Sequence, residues 1–75
     1  MENQIENILV FATNIRTEND KQTICKILNE NPEIEQWNID QEDIDCVLRI
    51  VSDTLSEEQI IDLLGSLNFE CSALE

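Results

Sequence analysis

Apolar residues along the chain fall into short segments whose period switches between two and about 3.6. From Ile8 to Ile15, ILVFATNI places Leu9, Phe11 and Ile15 on one alternating set and Ile8, Val10 and Ala12 on the other. Such a run predicts a strand central in its sheet and covered on both faces, or nearly so. From Thr17 to Asn31 the period changes. Ile24, Ile27 and Leu28 recur at i, i+3, i+4, with Lys26, Asn29 and Glu30 off the stripe, which predicts an amphipathic helix with a narrow buried face. Thr17-x-x-Asp20 has the form of a capping box with Asp in the usual Glu place, and Asn31-Pro32 stops the helix.

The stretch Ile34 to Asp40 returns to alternation, Trp37 and Ile39 on one face and Gln36 and Asn38 on the other. Gln41 to Ile44 is turn material, and Cys46 to Val51 is rich in β-branched residues, so 34–40 and 45–51 form a hairpin. Ser56-Glu57-Glu58-Gln59 is a second capping box, with Leu55 and Ile60 at the positions of a hydrophobic staple. Ile60, Ile61, Leu63, Leu64 and Leu67 give that helix its apolar face, and Asn68 suits a left-handed C-cap before a last strand, Phe69 to Ala73. Gly65 lies inside the helix, where close packing is the one reason the sequence suggests for it. The predicted order is β-α-β-β-α-β, a single α+β domain over residues 1–75. It reads as a ferredoxin-like two-layer plait: a four-stranded antiparallel sheet of order 4-1-3-2 with both helices on one face.

Composition narrows the functional classes. Seventeen acidic residues face four basic ones, Arg16, Lys21, Lys26 and Arg49, for a net charge of −13. Phosphate backbones and anionic membranes need clustered cations, so nucleic acid and membrane surfaces are disfavoured, while a basic protein partner is compatible. Histidine is absent, which removes the commonest general base and transition-metal ligand together. A chain this short buries only roughly 60–65% of its unfolded surface and has no room for a roofed cleft, so catalysis is not expected. Cys25, Cys46 and Cys71 are widely spaced with no CxxC, and read as small buried hydrophobes in a reducing compartment. The opening MENQIEN lacks the basic and apolar regions of a signal peptide, so the cytoplasm is the expected address.

With its strand, capped turn and helix, the chain resembles the heavy-metal-associated domain family, the copper-chaperone-like modules of metal transport ATPases. The family's pattern is a strand, Gly-Met-Thr-Cys-x-x-Cys and a helix, then Gly-Val at the next strand and a Gly-aromatic pair after the second helix. Here Ile15 falls on the core methionine, Thr17 and Asp20 on the two metal-binding cysteines, Ile24 and Leu28 on buried helix positions, and Glu33-Ile34 on Gly-Val. Asn68-Phe69 matches the terminal pair. The resemblance implies the plait fold and, in family members, binding of Cu(I) or another soft ion through two thiolates. A hydroxyl and one carboxylate cannot replace those thiolates, so that activity does not transfer to Thr17 and Asp20. Cap chemistry accounts for both side chains.

Two other constellations invite a ligand. Asp40, Glu42, Asp43 and Asp45 crowd the hairpin tip as weak cation candidates. A calcium loop starting at Asp40 would need Gly sixth and Glu twelfth, where Asp45 and Val51 stand. A carboxylate or non-motif cysteine site remains the alternative reading, as a metal-trafficking protein. The main expectation is a non-catalytic protein-interaction or self-association module that holds no cofactor and uses the sheet face free of helices. Ile8, Val10, Val47, Val51 and Trp37 are its apolar candidates, with Trp37, Val47 and Val51 foremost, and a homodimer is among the possible assemblies.

Overall fold

The computed structural model of the chain describes residues 8–74. The MENQIEN opening therefore lies outside the described residues. Six elements follow one another: β1 (Ile8–Thr13), α1 (Glu18–Glu30), β2 (Gln36–Asp40), β3 (Val47–Val51), α2 (Glu57–Ser66) and β4 (Cys71–Ala73). The strands form one sheet in the order β2-β3-β1-β4, antiparallel at each junction. The expected βαββαβ order and strand arrangement are both present.

Alternation along the strands divides the sheet into two faces. Leu9 pairs with Ile50 and Phe11 with Leu48 across β1 and β3, and Trp37 and Ile39 continue those rows onto β2. These side chains meet Ile24 and Leu28 of α1 and Ile60 and Leu64 of α2 in one hydrophobic cluster. Both helices therefore cover the same face. The narrow stripe of α1 buries only Ile24 and Leu28. Fully burying an aliphatic side chain of this size contributes about 1.5–3 kcal/mol, so these few anchors hold the helix layer to the sheet.

Local sequence signals set the helix ends. The Thr17 hydroxyl accepts from the Asp20 N–H at 3.0 Å while Asp20 Oδ2 accepts from the Thr17 N–H at 3.4 Å. Ser56 and Gln59 repeat the exchange at the start of α2. Both boxes satisfy N–H groups that the first helical turn leaves unpaired. The end of α2 is a Schellman turn: Asn68 has φ 69°, its N–H donates to the Gly65 carbonyl, and the Phe69 N–H donates to that of Leu64.

The strands depart from expectation at their ends and on one face. β1 stops at Thr13 instead of reaching Ile15 because side chains take over the ladder. The Ile15 N–H donates to the Thr13 hydroxyl, and the Glu70 N–H donates to Asn14 Oδ1. That same exchange keeps β4 from starting at Phe69. β1 is central, but it is not covered on both sides: Ile8 is 50% exposed, and Val10 and Ala12 are half-buried. Gly65 is not a close-packing glycine either, since among the described residues nothing outside its own helix backbone and chain neighbours lies within 4 Å of where its Cβ would sit.

Candidate functional site

The β1–α1 turn, which the family resemblance makes the first place to look, is filled by backbone chemistry. Asp20 Oδ2 accepts from the N–H groups of both Arg16 and Thr17, and the Thr17 hydroxyl is engaged by Asp20 N–H. A third residue closes the turn from outside. Gln41 Nε2, on the β2–β3 loop, donates to the carbonyls of Ile15 at 3.3 Å and Thr17 at 2.9 Å. The sequence marks Gln41 only as turn material, because this contact depends on how the hairpin folds over the turn.

The acidic tip is likewise organised by its own backbone. Asp40 Oδ1 accepts from the Glu42 N–H at 3.1 Å and Asp43 Oδ1 from the Asp45 N–H at 2.9 Å. These are Asx turns, in which a carboxylate stands in for a backbone acceptor. Asp40, Glu42, Asp43 and Asp45 are all exposed. Among the described residues no group of three or more His, Cys, Asp or Glu side chains is placed to hold a metal ion.

The three thiols are free, Cys46 buried and Cys25 and Cys71 half-buried. Cys25 Sγ accepts from Asn29 Nδ2 at 3.2 Å, and Asn29 Oδ1 accepts from Trp37 Nε1 at 2.8 Å. Cys71 lies opposite Thr13 on β1, so β1 separates it from the start of β3. Partial burial penalises its thiolate and pushes the pKa from about 9 up to about 11. A thiol held protonated at neutral pH is a weak nucleophile and a weak metal ligand.

What remains is the sheet face opposite the helices. Its rows are Ile8–Val51–Gln36 and Val10–Arg49–Asn38, with Val47 beside Asp40. The candidates divide here. Val51 is half-buried and Val47 only 6% exposed, both on this face. Trp37 is not on it: alternation puts Trp37 with Ile39, it packs against the core, and its indole N–H is taken by α1. Ile8, Gln36, Trp37, Asn38, Arg49 and Val51 line an open depression of about 210 Å³ near the β2 edge of the sheet. Arg49 is the only Lys or Arg in the four strands and is exposed. The sequence shows it merely as a charge interrupting an apolar strand.

Among the described residues no helix is long and apolar enough to cross a membrane. No family model, curated protein or solved structure matches the chain.

Proposed function

We propose that this chain is a small non-catalytic module that binds another protein chain through its open sheet face. We assign it the ferredoxin-like plait, similar to heavy-metal-associated domains without their chelating cysteines, and place it in the cytoplasm, where its thiols stay reduced. One observation carries the reading. Ile8, Val10 and Val51 leave apolar surface around an exposed arginine on a face that neither α1 nor α2 covers. In a two-layer domain that is the surface available to a partner. The loop that would serve metal transport in the resembling family has its side chains committed to helix capping.

The test is site-specific photo-crosslinking in extract. A crosslinker at Asn38 or Ser72, exposed on the open face, is expected to trap a discrete protein species. The same group at the exposed helix positions Lys26 or Asp62 is expected to trap none. Crosslinks formed only from the helix positions would overturn the reading.

A further inference from the structure

β2 is an edge strand, paired with β3 on one side only. Two hydrogen bonds at the far edge fix which of its backbone groups point outward. The Leu74 N–H donates to the Val10 carbonyl and the Asn14 N–H to that of Glu70, so the even-numbered positions of β1 bond toward β4. The Thr13 N–H, which donates to Asp45 on the β3 side, agrees. Alternation carries the pattern across the sheet. Leu9 and Phe11 bond to Ile50 and Leu48, and Val47, Arg49 and Val51 bond to Asp40, Asn38 and Gln36. Trp37 and Ile39 are left with N–H and C=O groups aimed out of the sheet. Among the described residues no hydrogen bond engages these groups.

A free edge is a template for another strand, and proteins blunt such edges with Lys, Pro or a very short strand. β4 has three residues; β2 has five, QWNID, with neither Lys nor Pro. The strand is also complementary to itself. Laid antiparallel about Asn38, Trp37 faces Ile39, Gln36 faces Asp40 and Asn38 faces Asn38, so no like charges oppose. The chain carries −13, yet Asp40 is the one charge on this strand. Cys25 and Asn29, the α1 side chains linked to Trp37, carry none.

We propose that β2 pairs with β2 of a second copy, antiparallel about a two-fold axis through Asn38 and normal to the sheet. Each copy offers two N–H and two C=O groups, and Trp37 and Ile39 exchange both bonds with Ile39 and Trp37 of the second copy. Four hydrogen bonds then satisfy every outward group of Trp37 and Ile39. Sliding the register by two residues cuts the strand overlap from five residues to three. Such an isologous contact closes at the dimer. The seam lies along the edge and leaves both open faces clear, so it is independent of the docking reading.

Sedimentation equilibrium of the purified chain at 0.15 M salt, where the Debye length is about 8 Å, is expected to show reversible dimerisation below about 1 mM. Because Asn38 faces itself, Asn38→Lys and Asn38→Glu each set like charges across the axis and should weaken the dimer roughly three- to tenfold, while a mixture of the two should pair. Asn38 is exposed, so circular dichroism should show an unchanged fold. In wild type the Trp37 and Ile39 amides should exchange rapidly when dilute and slowly when concentrated. A wild type that stays monomeric at about 1 mM overturns the proposal. So does a dimer that leaves those two amides unprotected or tolerates both Asn38 variants. The open face is read separately, by crosslinking from Ser72 on β4, at the opposite edge of the sheet.

Discussion

Gln41 and Thr17, 24 residues apart in the chain, are joined by a hydrogen bond of 2.9 Å from the Gln41 side chain to the Thr17 carbonyl. The same amide reaches the Ile15 carbonyl, so one side chain ties the β2–β3 loop to the β1–α1 turn. Replacing it by Ala should therefore do more than trim a loop. Two hydrogen bonds are lost, one of them part-buried, and unfolding by urea should show a loss of about 1–2 kcal/mol. Amide exchange should accelerate through residues 14–17, because the turn loses its outer brace. Gln41→Glu should fare worse at neutral pH, since an ionised carboxylate offers those carbonyls no donor.

Thr13 is a second hub. Its hydroxyl donates to the Cys46 carbonyl at 2.6 Å and accepts from the Ile15 N–H at 3.2 Å, and the residue is 7% exposed. Val has nearly the same shape without the oxygen, so Thr13→Val leaves the packing in place and strips both partners. A buried group left unsatisfied costs about 1–3 kcal/mol, and the denaturation midpoint should fall by the equivalent amount. Thr13→Ser, which keeps the hydroxyl, should lose clearly less.

Cys71 gives the protein a pH dependence of known sign. Its thiol holds its proton up to about pH 11 in the folded chain, against an ordinary value of about 9. Between those values the folded state binds more protons than the unfolded state, so stability falls as pH rises through that window and is fully present below it. The slope from this group should vanish in Cys71→Ala, which is less stable overall but flatter in the wild type's falling region. Denaturation of both proteins from pH 8 to 11 provides the comparison. An equal slope in both would show that the thiol is not its source.

Features that depend on neighbours in the chain were legible in the sequence. Thr17 with Asp20, Ser56 with Gln59, and Asn68 after α2 act within a few residues, and alternation alone placed Trp37 with Ile39 against Gln36 with Asn38. Contacts between distant segments were not legible. Nothing local shows that Gln41 would reach the Ile15 and Thr17 carbonyls, or that Asn14 and Glu70 would end the β1–β4 ladder. The candidate site follows the same division. Val47 and Val51 could be assigned to a shared face by counting, but the depression is assembled from three strands, and Arg49 gains significance only with Val10 and Asn38 on either side.

Gly65 offers a test in the stabilising direction. It sits in α2, one turn before the Schellman cap, without the positive φ that would call for glycine. Space for a methyl group is open: apart from the helix's own backbone and the neighbouring residues, no described atom lies within 4 Å of the Cβ position. Its carbonyl accepts from the Asn68 N–H, a bond that alanine keeps. Gly65→Ala should therefore reduce the conformational freedom of the unfolded chain without straining the folded one, raising stability by roughly 0.5–1 kcal/mol. The value should lie toward the lower end because the last helical turn frays more readily than the middle. In urea the midpoint should rise with the slope unchanged, the signature of a change in stability alone. A lower midpoint would mean that the helix end needs glycine for a backbone excursion, which the observed φ does not call for.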